Sequence, residues 1–371
     1  MAERQSLLLT RRRGGPIVLG AMMSLTGEGQ AMARHPWVAQ ADDGPRFGIQ
    51  VATHKRRTAQ LEVTLHDDPL MVQMAAGRLI EELGYDGLFL HDHPGFSPDP
   101  WLGLAALAAV TERVTLGSVV FCVPYRHPVY LARLATDVDN LSRGRLMVGL
   151  GIGWAVPEFV NMEIPFTKAS VRQAGLAEAV EIIKGLWTGE HYSFKGTHYT
   201  VDGMQLAPRP IQSPRPPIMI AGGGERTTLR QVALYADASN FGDLAAPEST
   251  FERDFSGSAA STEAMRARMD VLNGHCEAVG RPHEEVLKTH FVSWLMMAPT
   301  EAEARAKFDT YFETDRSPFA RGVLAGTPEQ IATYYRARIE AGMQYFVIQM
   351  LDGADHETLE LFAREVMPGL R

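Results

Sequence analysis

"VTLGSVVFCVPYRHPVYLARLATDVDNLSRGRLMVGLG", residues 114–151, is the stretch on which the fold turns. An apolar run rich in β-branched residues (114–121) leads into a polar turn. A segment with apolar residues at helical spacing follows (128–144) and stops on Gly144, and a second apolar run (145–151) comes next. A strand apolar along its whole length is covered on both faces, and the helix between two such strands is the crossover that parallel pairing requires. The same alternation runs outward in both directions. Upstream it predicts strands over 46–51 and 86–90, with helices over 69–84 and 100–113. Downstream it predicts helices over 170–187, 225–236, 262–280, 329–342 and 355–366, interleaved with strands over 217–222, 238–242, 287–297 and 344–350. Eight strand–helix units predict an α/β chain folded as a (β/α)8 TIM barrel, a closed eight-stranded parallel barrel with insertions. An open doubly wound sheet would carry a glycine-rich turn after its first strand, and "ATHKRRTAQLEV" (52–63) has none.

Two regions depart from the alternation. Residues 189–216 alternate polar and apolar around turn residues and then become proline-rich, which predicts a β-hairpin insertion followed by an extended linker. Residues 1–44 precede the barrel domain, taken as 45–371. Arg11, Arg12 and Arg13, an apolar stretch over 16–26 and Ala31-Met32-Ala33 follow the order of a twin-arginine export signal. Gly20 interrupts the apolar stretch and Gly14-Gly15 follow the arginines, so a flexible extension on a cytoplasmic protein is the reading adopted, with export as the alternative. The chain has 371 residues, 45% of them hydrophobic, and a net charge of −8 with no long basic stripe or Lys/Arg-rich run with interleaved aromatics, which argues against a nucleic-acid partner. No apolar run reaches the roughly 20 residues of a membrane span. Cys122 and Cys276 are the only cysteines, too few for a disulfide framework or a cysteine-ligated metal.

The active face of such a barrel is built from loops at the C-terminal strand ends. Those ends carry His91-Asp92-His93, "CVPYRHP" (122–128), "GLGIGW" (149–154) and "AGGGER" (221–226). Glycines there let a backbone approach a flat ligand, and a glycine run feeding a helix presents free N–H groups to an anion. A His-x-His at a strand end also opens the metal site of metal-dependent hydrolases. Such a site needs more ligands from later strands, and "NFGD" (240–243) and "QMLDG" (349–353) offer no histidine, so the ligand set is incomplete. Arg126 and His127 suit either an anion or the start of a helix, while Glu158, Arg172 and Glu178 read as a structural ion pair and a mouth residue rather than catalysts.

"DHP" (92–94), "YRHP" (125–128), "LSRGRLMVGLGIGW" (141–154), "RPPIMIAGGGERTTLRQVALYADASNF" (215–241) and "GTPEQIATYYRARIEAGMQYFVI" (326–348) resemble the luciferase-like flavin and deazaflavin oxidoreductases. The pattern is most similar to the branch that uses the deazaflavin coenzyme F-420, over roughly 46–366. The resemblance implies a ring-shaped cofactor across the strand ends and a small-molecule substrate. It makes His93 the catalytic histidine beside the redox ring, where a near-neutral imidazole holds or transfers a proton. It also implies cofactor contacts from Asp92, Val120, Phe121, Gly151, Ile152, Gly153, Trp154, Gly222, Gly223, Gly224 and Thr227, with Asp92 orienting a backbone group or an arginine. A non-proline cis peptide is expected near Val120-Phe121, give or take one residue, and homodimerisation is usual in the family. Two positions depart from the family pattern. Ile152 stands where the flavin enzymes place a phosphate-binding arginine, which favours F-420 over FMN. Trp154 stands where the sugar-phosphate dehydrogenases place an acid, which puts sugar oxidation in doubt. The alternatives are an FMN-dependent monooxygenase, which alone would need a flavin reductase partner, and a flavin or deazaflavin binder without turnover.

Overall fold

In the computed structural model the decisive segment folds as expected, except that its first strand is broken at residues 119–120. The structure describes residues 34–57, 63–242, 259–312 and 322–371. The short helix α1 (Pro36–Ala39) leads into β1 (Arg46–Gln50), and a hairpin of β2 (His54–Arg57) and β3 (Val63–Leu65) follows. Then come α2 (Pro69–Glu82), β4 (Gly87–Leu90), α3 (Pro100–Val110), β5 (Thr115–Ser118), the two-residue β6 (Phe121–Cys122), α4 (Pro128–Leu141) and β7 (Leu146–Gly151). The short α5 (Val156–Asn161) and long α6 (Ala169–Trp187) precede the hairpin β8 (Tyr192–Lys195) and β9 (Thr200–Met204). The chain ends with β10 (Ile218–Ala221), α7 (Thr228–Tyr235), β11 (Ala238–Gly242), α8 (Ala259–Ala278), β12 (Leu287–Met297), α9 (Glu301–Phe312), β13 (Leu324–Gly326), α10 (Pro328–Glu340), β14 (Tyr345–Met350) and α11 (His356–Leu361).

Every barrel strand pairs in parallel with two neighbours, in the order β1, β4, β5, β7, β10, β11, β12, β14 and back to β1. The closure leaves no sheet edge. Residues facing outward from the strands, among them Phe47, Leu88, Leu116, Val148 and Ile220, pack under the helices in the main core. Residues facing inward change character along the barrel axis. Near the strand starts, Phe89, Met147, Met219, Ala238, Leu287, Tyr345 and Val347 fill the interior. Trp37 and Val38 of α1 join that cluster from below, with Trp37 Nε1 donating to Thr115 Oγ1 at 3.3 Å. Burying each large apolar side chain contributes about 1.5–3 kcal/mol, so the packed body begins ahead of Arg46, among residues the sequence leaves outside the barrel domain.

Toward the strand ends the interior turns polar. Gln50 Nε2 donates to Val119 O at 2.8 Å, and Asn240 Nδ2 donates to Thr289 Oγ1 at 2.8 Å. The strand expected over 114–121 divides at a cis Val119–Val120 peptide, one residue before the expected bond. The insertion over 189–216 is a hairpin and an extended run with two cis prolines, Pro208 and Pro214. Its turn is anchored by Glu178, whose carboxylate accepts the amides of Thr197, His198 and Tyr199 at 2.8, 2.8 and 3.0 Å. Five features were not expected from sequence: α1, the hairpin after β1, α5, α9 and β13. Among the described residues no helix is long and apolar enough to cross a membrane.

Candidate active site

The loop after β4 is closed on itself by the amides of Phe96 and Ser97, which donate to His93 O at 3.1 and 3.0 Å. That turn stacks the His93 imidazole on Phe96, with ring centroids 4.6 Å apart and planes 18° apart. Trp154, at the end of β7, meets the imidazole edge-on at 5.5 Å. His93 Nδ1 lies 3.0 and 3.1 Å from the two carboxylate oxygens of Glu158, and Tyr125 OH donates to Glu158 Oε2 at 2.7 Å. A carboxylate acceptor calls for the hydrogen on Nδ1, which leaves Nε2 as the exchangeable position. No described group hydrogen-bonds Nε2. Burial, and then the hydrogen bond to Glu158, push the Tyr125 hydroxyl well above its ordinary range, so it stays a donor. The neighbouring Cys122 thiol is pushed up to about 12, by burial first and then by the charge of Asp92.

Glu158 reaches His93 because α5 is nailed down one residue later. Phe159 is fully buried, with its ring 5.1 Å from Tyr125 and 4.9 Å from Phe166. The turn into α5 needs Gly153. Its φ is +76°, and a Cβ there would stand 2.6 Å from Cys122 Sγ and 2.7 Å from the Phe159 ring. Arg172 clamps the same turn, donating to Ile152 O at 3.0 Å, to Gly153 O and to Thr167 O, while lying 3.9 Å over the Phe166 ring.

Beside this cluster runs the cis Val119–Val120 peptide. Gly151 leaves room for it, since a Cβ at 151 would stand 2.5 Å from Val120 Cγ2. Two residues expected to touch the cofactor are turned away from the mouth. The Asp92 side chain has no exposed surface. It accepts the Cys122 amide at 2.9 Å and both Arg126 nitrogens at 2.6 and 3.0 Å, so it fixes the wall from behind and has no oxygen left for a ligand. Phe121 is fully buried, stacked at 3.9 Å on Trp101. Strand alternation explains both: neighbours of a mouth-facing residue point into the helix layer.

The other half of the mouth is the loop after β10, which adjoins β7 through the Leu150–Ile220 register. Gly222 takes φ +123°, the turn over 222–227 is open to solvent, and Thr227 precedes the first residue of α7. The guanidinium of Arg268, from α8, lies against Gly223, where a Cβ would come within 1.9 Å of it. Among the described residues Arg268 makes no ion pair, so a cation stands over a glycine loop that ends in a helix. Sequence reasoning did not single out Arg268, Tyr125 or Phe96, and took Glu158 for a structural residue. A Glu five residues past Gly153 was the one available signal. Among the described residues no group of three or more His, Cys, Asp or Glu side chains is arranged to hold a metal.

A closed parallel barrel whose strand ends carry a histidine–carboxylate pair, a non-proline cis peptide and a glycine turn has the mouth of a cofactor-binding (β/α)8 enzyme. Residues 46–345 match the family model described as luciferase-like monooxygenase, and the chain belongs to that family. It is 28% identical over 317 residues to a Microbacterium testaceum protein named F420-dependent glucose-6-phosphate dehydrogenase, covering 80% of this chain and 92% of that one. The fold is shared with the coenzyme F420 dependent tetrahydromethanopterin reductase from Methanopyrus kandleri (TM-score 0.70, 17% identity, 88% of this chain and 100% of that one). It is also shared with an FMN-bound Baeyer-Villiger monooxygenase component from Pseudomonas putida (TM-score 0.66, 16% identity, 88% and 99%).

Proposed function

We propose that this protein is an oxidoreductase that moves a hydride between coenzyme F-420 and a small organic molecule, with His93 handling the proton. The observation that carries the reading is the hydrogen-bonded chain from His93 Nδ1 through Glu158 to Tyr125 at the barrel mouth. The residues present suit a flat deazaflavin with an anionic tail. Gly151 and Val120 offer a wall of small or apolar groups, while Gly223 and Gly224 with Arg268 offer N–H donors and a cation without an ion pair among the described residues. The relatives named for F-420 chemistry support the same coenzyme. When bound, the coenzyme supplies the two-electron hydride chemistry.

The protein's own part is positional. His93 Nε2 takes the hydroxyl proton of an alcohol as its carbon loses hydride, or returns a proton to a carbonyl oxygen in the reverse direction. Glu158 holds the imidazole in the Nδ1–H tautomer, and Phe96 and Trp154 hold its plane. The test is titration of the purified protein with F-420 and, separately, with FMN. Tight binding of F-420 supports the reading, and tight binding of FMN alone overturns it in favour of a flavin monooxygenase. His93→Ala should keep F-420 binding and lose roughly 10²–10⁴-fold in turnover; full turnover in that variant would remove His93 from the mechanism.

A further inference from the structure

We propose that His35 makes helix α1 a pH-sensitive plug: the neutral imidazole caps the helix that closes the N-terminal end of the barrel, and its protonation releases that helix. The device lies at the end of the barrel opposite the candidate active site and does not depend on which coenzyme binds there.

The two ring nitrogens of His35 have fixed roles. Nδ1 lies 3.1 Å from the Trp37 amide nitrogen, which can only donate, so Nδ1 is bare and accepts. Nε2 lies 2.7 Å from the Arg215 carbonyl oxygen, which can only accept, so Nε2 carries the hydrogen. Together the contacts require the neutral Nε2–H form. A second proton goes onto Nδ1, where it meets the N–H of Trp37 head to head. The cap is then lost, and an amide in the first turn of α1 is left without an acceptor. His35 is only 3% exposed, so water does not replace the lost partner. The Nε2 hydrogen bond survives protonation, which breaks the joint on its helix side alone.

Helix α1 depends on that joint. It has four residues, against the roughly 12–15 that an isolated helix needs in water. Apart from the cap, it is held by Trp37 and Val38, which pack among the interior residues of the lower barrel. Trp37 stands 5.7 Å from the Tyr345 ring and donates to Thr115 Oγ1 at 3.3 Å. The charges around the imidazole are named groups with partners of their own. Asp237 favours the protonated ring and Arg215 opposes it, and the two are paired with each other at 2.6 Å. Arg34, next in the chain, is paired with Asp42. Across the cavity under α1 stand Glu81, Glu82, Asp86, Arg113 and Arg145. Burial is the largest influence and holds the imidazole below its ordinary value of 6.5. The folded protein therefore prefers the neutral ring. The stability that this joint contributes is complete above pH 6.5 and is lost as the pH falls below it toward the folded-state value.

The experiment is hydrogen exchange of the full-length protein at about pH 8 and about pH 5.5, on either side of the ordinary imidazole value, read by mass spectrometry as protection factors. Protection over residues 37–42 should fall about tenfold or more at the acid value, while the central strand segment 146–151 keeps its protection. That second segment separates release of the plug from unfolding of the barrel. Asparagine also caps a helix start but does not titrate, so His35→Asn should show level protection over 37–42 across the range. His35→Ala should leave the segment poorly protected at both values. The nitrogen resonances of His35 give an independent reading, with Nδ1 taking up its proton over the pH range in which protection falls. Level protection in the wild type would overturn the proposal. So would a fall in His35→Asn equal to that of the wild type, or an Nδ1 still bare where the protection has gone.

Discussion

The two ends of the barrel use charge in opposite ways. At the strand starts, carboxylates are spent on backbone and arginine. Asp237 accepts the Ile218 amide at 2.7 Å and the Arg215 guanidinium at 2.6 and 3.1 Å. Asp86 accepts the Phe47 amide and pairs with Arg46 and Arg371. Glu81 caps the amides of Glu112, Arg113 and Val114. Beneath them Trp37 closes the interior. At the strand ends Asp92 does the same, but Glu158 is bonded to an imidazole and a phenol, as is Asp352, which pairs with His66 and accepts the Tyr311 hydroxyl. Backbone amides and guanidinium groups keep their protons at any ordinary pH, so the lower carboxylates make fixed joints. An imidazole carries one ring nitrogen that can accept a proton and one that can give it, so the same kind of contact at the upper end can do chemistry. Two cavities of roughly 530 and 810 Å³ open at the lower end, one under α1 and one beside Lys288. Glu81 and Asp86 line the first, and the histidine–carboxylate pair of the second, His283 and Glu284 at 3.4 Å, is exposed.

The contrast can be broken most severely from below. Asp237→Asn leaves the Arg215 charge buried without its partner, and loss of about 3–5 kcal/mol in denaturant unfolding is expected. Burial alone would raise the Asp237 carboxyl, but the charge and hydrogen bonds of Arg215 outweigh it and hold the group below the ordinary aspartate value of 3.8. The stabilisation is therefore complete above that value and fades as the pH falls through the lower, folded-state one. Acid unfolding curves should fall below about pH 4 in the wild type and lose this component in Asp237→Asn.

Next comes Gly153→Ala, which forces a Cβ at φ +76° against Cys122 and Phe159. It should cost about 1–3 kcal/mol and tilt α5; an unchanged melting temperature would show that the turn relaxes freely. Glu158→Gln tests the upper end directly. It keeps the shape, so stability should change by less than about 1 kcal/mol. Turnover should drop roughly tenfold to a hundredfold through kcat, and the imidazole nitrogen resonances of His93 should shift toward the other tautomer. An equal effect in Tyr125→Phe would show that Glu158 needs its second anchor. The smallest effect on the fold is expected from Gly223→Ala. Its new Cβ meets only the flexible end of Arg268, so stability should move by less than about 0.5 kcal/mol. F-420 affinity should nevertheless fall, and unchanged binding would release Arg268 from the anion site.

Much of this molecule could be read from local patterns. The eight apolar strands and their helices were legible because period and composition act over a few residues, and a strand covered on both faces shows as an unbroken apolar run. His93, Gly153 and the glycines at 222–224 were legible because strand ends and turns leave marks in the chain. Pairs joined across the fold were not. Glu158 lies 65 positions from His93, on a helix of six residues too short to announce itself by periodicity. Arg268 sits among other polar residues of α8, and nothing nearby in the chain sets it apart. Asp92 orients a backbone amide and an arginine as expected, whereas the cofactor contacts that the resemblance implies for Asp92 and Phe121 do not fit their burial, because the alternation of the strands turns both away from the mouth. Helix α9, "EAEARAKFDTYF", was missed because charged and polar residues dominate it, although Ala304, Phe308 and Phe312 are buried.

What the chain alone decides here is which segments are strands and helices, how they alternate, and where glycine must stand, because those depend on the chemistry of neighbours in sequence. What only the closed barrel decides is which nitrogen of His93 is left available, that Arg268 comes to lie against Gly223, and that Trp154 meets the imidazole edge. Those follow from distances between residues that hydrophobic burial brings together, and burial has no memory of how far apart they lie along the chain.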